Sequence, residues 1–156
     1  MRKRIVNRKT KSSPANEAWL ELESLAQVEV SSEEAQHPIE AALMPGAASG
    51  WRAAAPGQQI VRLLFDQPQN LRMIHLVFDE HEQERLQEYT LRWSSGGGQP
   101  SREIVRQQYT FSPPTTTREV EDFQVDLDSC AELELIIVPD IGGSTAHASI
   151  AEFRLA

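Results

Sequence analysis

Apolar and polar residues alternate along most of the chain after residue 59, with the period of two that is typical of β-strands. The clearest case is residues 88–95, where Tyr89, Leu91 and Trp93 alternate with polar neighbours. Similar segments cover residues 26–30, 59–66, 70–79, 102–111, 118–127, 132–138 and 147–155. Turn residues separate these segments, and there is no alternation of strands with long helices. About eight strands with few helices predict a β-sandwich or a barrel.

Two short helical segments precede this region. Residues 17–25 predict a short helix in which Trp19, Leu22 and Leu25 share one side, so that Trp19 covers the sandwich. Residues 37–43 predict one helical turn inside a long connection. Residues 1–16 are basic and almost free of apolar side chains, which predicts a flexible tail ahead of a domain that spans residues 17–156.

The order of several motifs resembles that of a known family. Residues 28–33 (VEVSSE), 37–43 (HPIEAAL), 50–53 (GWRA) and 148–155 (ASIAEFRL) resemble successive elements of discoidin-type, galactose-binding-like domains. The resemblance implies an all-β, jelly-roll β-sandwich of about eight strands with one short N-terminal helix. Members of this family bind sugars, lipids, proteins or DNA ends, so the fold does not decide the function.

A second similarity narrows the expectation. Residues 51–58 (WRAAAPGQ) are similar to the N-terminal domain of the X-ray repair cross-complementing scaffold, which shares the jelly roll and docks a repair polymerase. The resemblance implies a non-enzymatic binding module that docks a protein partner. The alternative is a carbohydrate-binding, lectin-like module, which the family also includes.

Composition and charge restrict the partners. The first 11 residues hold six basic side chains and no acid, whereas the rest of the chain holds nine arginines, no lysine and all 23 acidic residues. An acidic body repels phosphate backbones, so we expect it to bind no nucleic acid, while the basic tail is free to touch an anionic partner. No apolar run approaches the roughly 20 residues that cross a bilayer, so no membrane association is expected. The sequence does not specify an oligomeric state.

Cysteine usage and the N-terminus favour a cytoplasmic protein. The single cysteine, Cys130, excludes an internal disulfide, and no apolar stretch of a secretory signal follows the basic N-terminus. Cys130 has no cysteine or histidine at ligand spacing, so a core or loop position is expected.

The motifs of common enzymes are missing. The chain has no GxSxG elbow, no histidines at zinc-ligand spacing, and glycine runs at 96–98 and 142–143 that lead into no phosphate-binding helix. The charged run at residues 79–88 lies between two predicted strands, so it predicts a loop or a strand extension. Its carboxylates and His81 suggest a metal or acid–base site, but the favoured interpretation is a solvated loop with a local pair between Arg85 and Glu82 or Glu88. We therefore expect no enzyme.

Two groups of residues are candidates for ligand binding. Trp51 and Arg52 pair an aromatic ring with a guanidinium fork, although a core position is the favoured interpretation for Trp51 and an ion pair with a nearby acid for Arg52. The polar strand around Tyr109 suggests a recognition face formed by Arg92, Arg106, Gln108 and Tyr109, with Asp122 and Gln124 beside them. Ordinary solvent exposure is the alternative for this strand.

The family resemblance also implies a possible metal site. Many members hold a structural calcium between the first connection and the last strand, and Glu33, Glu40 and Glu152 occupy the corresponding positions. The usual Asp-Gly pair of the connection is replaced here by residues 43–46 (LMPG), which removes one charged ligand. No cofactor other than this calcium is implied.

Overall fold

The computed structural model describes residues 19–46 and 49–156. The sequence-predicted tail and the first two residues of the predicted helix lie outside this range. The described elements are α1 (Leu22–Leu25), β1 (Ala26–Val30), α2 (Glu40–Leu43), β2 (Trp51–Pro56), β3 (Gln59–Asp79), β4 (Arg85–Ser94), β5 (Arg102–Phe111), β6 (Arg118–Val138), β7 (His147–Ile150) and β8 (Glu152–Leu155). No described helix is long and apolar enough to cross a membrane.

The two longest strands, β3 and β6, each contribute to both layers of the sandwich. The first half of β3 pairs antiparallel with the second half of β6, and the second half of β3 pairs with the first half of β6. The register shifts between Leu64 and Met73 of β3. One layer has the order β1, first half of β3, second half of β6, β4 and β5. The other layer joins β8, the second half of β3 and the first half of β6. Strands β2 and β7 form a separate antiparallel ribbon.

Alternation along each strand places the core between the two layers. In β3 the side chains of Val61 and Leu63 are fully buried, and Leu133 and Leu135 of β6 lie opposite them. Phe153 and Leu155 of β8 close the core from the other layer. This arrangement confirms the all-β jelly-roll prediction, including the count of eight strands.

Both helices are single turns. The helix predicted over residues 17–25 is reduced to Leu22–Leu25, with Leu22 buried, and the turn predicted over residues 37–43 is present as Glu40–Leu43. The ring of Trp19 lies 5.6 Å from that of His75 on the outer side of the three-stranded layer. Trp19 therefore covers the sandwich without belonging to a helix.

The two flanks of the sandwich differ. On one side, which we call the covered flank, β1 and β8 lie beside α1 and α2, and the Leu20 amide donates to the Leu155 carbonyl at 2.7 Å. On the other side, which we call the open flank, β5 pairs only with β4, and the first half of β6 pairs only with β3. Among the described residues, no backbone ladder closes these last two edges.

Candidate functional site

Trp51 belongs to the core. It begins β2, is 1% exposed, and its indole Nε1 donates to the carbonyl of Ser32 at 3.0 Å. Gly50 has a positive φ, and a Cβ there would lie 2.6 Å from the Ile150 carbonyl, so only glycine allows this close approach to β7. The core position favoured for Trp51 from the sequence is confirmed, and the alternative that its ring binds a ligand is wrong, because the ring has no accessible face.

Arg52 has the opposite orientation and reaches solvent. Its side chain is 47% exposed, and its Nε lies 3.3 Å from Glu34. It lines a polar cleft of about 210 Å³, together with Asp79, Glu80, His81, Glu82, Gln83, His147 and Ser149. His147 Nδ1 lies 2.8 Å from the carbonyl of Ala53 and must donate to it, which leaves Nε2 of the neutral ring as an acceptor. The cleft offers donors and acceptors, but its lining residues include no phenylalanine, tyrosine or tryptophan.

The charged run contains a buried arginine. Arg85 is 2% exposed; its Nε donates to Glu80 at 2.6 Å, and its Nη1 donates to Gln87 and to the Pro139 carbonyl. The guanidinium also lies 4.7 Å from the centre of the Phe111 ring. The predicted pairing with Glu82 or Glu88 on a solvated loop is therefore wrong, because Arg85 already belongs to β4 and points into the sandwich.

Glu80 is the carboxylate that compensates this buried charge. Burial acts to raise the pKa of Glu80, yet the hydrogen bond from Arg85 and those from the backbone amides of Glu82 and Gln83 hold it below its ordinary value. Glu80 is therefore ionised beside Arg85 at neutral pH.

The residues of the predicted recognition face do not all point to the same side of the sheet, because side chains alternate along a strand. Arg92, Arg106 and Gln108 lie on the outer face of the five-stranded layer, where Arg106 pairs with Glu103 at 3.0 Å and Gln108 donates to Glu88 at 3.2 Å. Arg92 donates to Ser101 at 2.9 Å. These polar side chains thus satisfy one another.

Tyr109 points the other way, into the sandwich. Its ring lies 4.9 Å from that of Phe111, and its hydroxyl donates to the carbonyl of Arg118 at 3.1 Å. Asp122 lies on the outer face of the other layer, 2.6 Å from His75 Nδ1. The prediction that Tyr109, Arg106 and Asp122 share one face is wrong, because adjacent residues of a strand point to opposite faces.

The open flank holds a polar group that faces inward. Arg85, Gln87 and Tyr89 of β4 are fully buried and lie in phase with the apolar positions of that strand. Glu119 of β6 is 2% exposed and accepts a hydrogen bond from Gln87 at 3.5 Å, and Glu121 accepts one from Gln107 of β5. Three atoms of this group, Arg85 Nη2, Tyr89 Oη and Glu119 Oε2, have no hydrogen-bond partner.

The environment of this group changes its acidity. Burial, then the charge and the hydrogen-bonding of neighbouring Glu121, raise the pKa of Glu119 to about 7. Burial also raises the pKa of Tyr89, with further contributions from Glu119 and Glu121, so its hydroxyl stays protonated. At neutral pH Glu119 is therefore close to its titration midpoint.

The sequence contains a signal for this group that strand assignment alone passes over. Gln87 and Arg85 continue the buried phase of Tyr89 and Leu91, and Glu119 and Glu121 continue that of Phe123 and Val125. A polar residue in the inward phase of a half-buried strand is costly to bury, so it marks either a network or a function.

The three glutamates implied as calcium ligands have other roles. Glu33 Oε2 accepts from the amide of Ile39 at 2.7 Å and so fixes the start of α2. Glu152 lies 3.8 Å from Arg118 and 3.9 Å from Arg154, while Glu40 is exposed. Within residues 19–46 and 49–156, no three acidic, histidine or cysteine side chains form a metal-binding group. The structure thus does not bring these carboxylates together, and calcium binding remains a prediction.

Cys130 is a core residue. It is fully buried, its Sγ lies 3.4 Å from the carbonyl of Glu132, and burial raises the pKa of its thiol to about 11. A thiol with that pKa is protonated at neutral pH and unreactive as a nucleophile.

Comparison with solved structures identifies the fold. The family 32 carbohydrate-binding module of C. perfringens NanJ, in complex with galactose, matches with a TM-score of 0.61 and 16% identity over 85% of this chain and 93% of that one. CpGH89CBM32-5 from Clostridium perfringens, in complex with GalNAc-β-1,3-galactose, matches with a TM-score of 0.64 and 15% identity over 88% and 99% of the two chains.

A protein-binding domain matches equally well. Reduced XRCC1 bound to the DNA polymerase β catalytic domain has a TM-score of 0.61 and 15% identity over 85% of this chain and 95% of that one. No protein-family model matches the chain, and no curated protein matches it significantly. The likeness to these structures confirms the jelly-roll fold, which is the fold of the discoidin-type domains that the sequence motifs resemble.

Proposed function

We propose that this chain is a non-catalytic binding module that docks a protein partner through the open flank. The observation that carries the proposal is the pair of unpaired edges, β5 and the first half of β6, which border the same side of the sandwich. Unpaired strand edges present rows of free N–H and C=O groups, and an extended segment of another protein satisfies them by adding a strand.

Apolar side chains lie between the two edges and provide the contact area that an edge alone lacks. Val105 and Tyr109 of β5 and Phe123 and Val125 of β6 are half-buried and pack against the core. Val120, on the outer side of β6, is 48% exposed, which is high for a large apolar residue in a strand. Half-buried aromatic and aliphatic groups bordered by polar ones are typical of docking surfaces.

Charge indicates the kind of partner. The chain has a net charge of −8, although six of its basic residues lie in the first 11 positions. A strongly acidic body attracts a basic protein surface and increases the rate of encounter with it. The partner we propose is therefore a protein with a basic docking segment, in the cytoplasm.

Site-specific photo-crosslinking tests this proposal. A benzophenone side chain at Thr110 or Val120 lies on the open flank, and one at Gln27 of β1 is the matched exposed control on the covered flank. We expect one defined protein to cross-link from positions 110 and 120, and to be displaced by excess unmodified protein. Equal yields at all three positions, or no adduct from 110 and 120, would contradict docking at the open flank.

The polar cleft supports a second candidate function, the binding of a carbohydrate. Arg52, His147 and Ser149 place donors and acceptors around a cavity the size of a small ligand, and two of the matching structures hold galactose-containing sugars. Against it, the residues lining the cleft include no phenylalanine, tyrosine or tryptophan to cover the apolar side of a sugar.

Titration calorimetry with galactose and with GalNAc-β-1,3-galactose separates the two functions. If the cleft binds sugar, Arg52→Ala abolishes the heat of binding while Arg72→Ala, whose partners are the exposed Asp126 and Asp128, leaves it unchanged. An absence of heat with either sugar removes this second candidate and leaves the docking proposal unaffected.

A further inference from the structure

Beyond the turn in which Ser112 and Thr116 exchange backbone hydrogen bonds, side chains connect the two layers at the open flank. The Tyr109 hydroxyl donates to the carbonyl of Arg118, Gln107 donates from β5 to Glu121, and Gln87 donates from β4 to Glu119. We call these three contacts the flank bonds. Three separate side-chain hydrogen bonds are few compared with the regular series of a backbone ladder, so the closure of the flank is weak.

Two of the three flank bonds end on neighbouring carboxyl groups. Glu119 and Glu121 are two residues apart on the same inward face of β6, close enough to hydrogen-bond when one of them carries a proton. Glu119 Oε2 is buried without a donor in reach, which is costly for an ionised oxygen. A proton on this oxygen removes the cost, because the carboxyl group then donates to Glu121.

The elements that pack against Glu119 do not disturb the contact between Glu119 and Glu121. From β4, Arg85 donates to Glu80, Gln87 and the Pro139 carbonyl and forms no hydrogen bond with Glu119; its charge lowers the pKa of Glu119 by less than burial and Glu121 raise it. From β3, the residue opposite Glu119 is Phe78, which is apolar and fully buried. The ionisable and polar groups that face Glu119 are Glu121 from its own strand, Arg85, Gln87 and Tyr89 from β4, Gln107 from β5, and Glu80 through Arg85.

We propose that the proton shared by Glu119 and Glu121 controls the open flank, holding its edges together when bound and freeing them for the docking partner when lost. The inference rests on the proposed function for its consequence, since the open flank is the docking surface. Deprotonation places two carboxylates side by side in a buried position, where their repulsion opposes the flank bonds.

The acidity of Glu119 agrees with this control. Its pKa is raised to about 7 from an ordinary value of 4.5, so the proton is bound in slightly acidic conditions and lost in slightly basic ones. A group with a raised folded-state pKa favours the closed flank at low pH, and this preference decreases as pH rises through the folded-state value. The closed flank is therefore expected to be about tenfold less favoured at pH 8 than at pH 6.

Amide hydrogen exchange measures this opening directly. After correction for intrinsic rates, protection of residues 102–111 and 118–127 is expected to fall about tenfold from pH 6 to pH 8, while protection of β1 and its neighbours in β3 stays constant. Glu119→Gln keeps a donor to Glu121 without titrating, so it removes this dependence. Glu103→Gln is the matched control, because it neutralises an exposed glutamate of β5 that pairs with Arg106, and it keeps the wild-type dependence.

A second measurement uses the wild-type protein, so its result does not depend on whether a variant folds. The carboxyl carbons of the wild-type protein report the titration by NMR, with Glu119 expected to change near pH 7. Uniform loss of protection over all strands, constant protection of the flank, or a Glu119 midpoint near 4.5 would overturn the inference. The docking proposal fails separately: flank protection that depends on pH without cross-linking at positions 110 and 120 keeps the proton control and refutes the docking.

Discussion

The covered and open flanks both close the side of the sandwich, but they do so with different groups. At the covered flank, a backbone amide satisfies β8, and Arg154 donates to the carbonyls of Ala42 at 2.7 Å and Met44 at 2.9 Å at the end of α2. At the open flank, the connection between the layers depends on Tyr109, Gln107 and Gln87. One flank is closed by main-chain groups and a buried cation, the other by side chains that include a titrating acid.

The difference teaches where this fold is free to respond to its surroundings. Main-chain hydrogen bonds do not change between pH 4 and 10, so the covered flank is expected to stay closed throughout that range. Two of the three flank bonds end on Glu119 and Glu121, and Glu119 changes its charge near neutrality. Regions that open for binding come from the less stable parts of a structure, and the open flank fits that description.

The largest effect is expected at the covered flank, with Arg154→Met. Arg154 is 6% exposed, and its removal leaves the carbonyls of Ala42 and Met44 without donors. We expect the free energy of unfolding to fall by about 2–4 kcal/mol, as when one member of a buried polar pair is deleted. Urea denaturation measures it, with Arg72→Met as the exposed control at less than about 1 kcal/mol. Equal losses from both variants would mean that the covered flank does not depend on Arg154.

The second prediction concerns the pH dependence of stability. Because folding raises the pKa of Glu119 from 4.5 to about 7, the free energy of unfolding of the wild type loses a contribution from this group as pH rises across that interval. The loss is at most about 3 kcal/mol. Glu119→Gln removes this pH-dependent loss. The stability of the variant relative to the wild type should therefore increase steadily between those pH values and keep that increase above them.

Denaturation at several pH values measures this difference. Subtracting the two profiles cancels the other acids, including Glu80, whose lowered pKa acts in the opposite direction at lower pH. Parallel profiles for the variant and the wild type would show that Glu119 titrates normally and that the contrast between the flanks is unrelated to protonation.

The sequence predicted the architecture well because the architecture depends on alternation. Most strands from residue 59 onward lie where the period of two predicts them. The structure adds β2 at Trp51, where the sequence predicted only a connection, and divides the strand predicted over residues 147–155 into β7 and β8, which pair with different strands. The sequence did not predict that residues 59–79 and 118–138 each form one long strand shared by both layers. Turn residues such as Pro68 suggested a break, but the structure has a bulge that preserves pairing.

The site residues were predicted poorly for a related physical reason. Arg106, Gln108 and Tyr109 were grouped because they are adjacent, although adjacent residues of a strand face opposite sides. Arg85 and Glu119 were overlooked because charged residues are usually exposed, and only their phase within the strand reveals that they are buried. The partners that make such burial tolerable, Glu80 and Gln87, depend on strand pairing that a single sequence does not show.

A smaller effect is expected from Tyr109→Phe, which removes one flank bond. The ring keeps its contact with Phe111, and only the hydrogen bond to the Arg118 carbonyl is lost. We expect about 1 kcal/mol of lost stability and faster amide exchange in β5. Tyr89→Phe is the matched control, because the buried Tyr89 hydroxyl has no hydrogen-bond partner and its removal should cost less. A larger cost for Tyr89→Phe would show that the buried polar group, rather than the bond between the edges, stabilises the flank.

The smallest effect is expected on the outer face, with Arg106→Ala. Arg106 is 53% exposed and lies 3.0 Å from Glu103 and 3.7 Å from Glu88, so solvent screens both ion pairs. The free energy of unfolding should change by less than about 0.5 kcal/mol, and a double-mutant cycle with Glu103→Ala measures the coupling. This variant also tests which side of β5 binds the partner. The sequence predicted Arg106, on the outer face, as a ligand-binding residue, whereas we propose docking at the edge and the inward face. If the Arg106→Ala variant still cross-links from position 110, the result supports docking at the open flank. If the adduct is lost while stability is unchanged, the partner docks on the outer face instead.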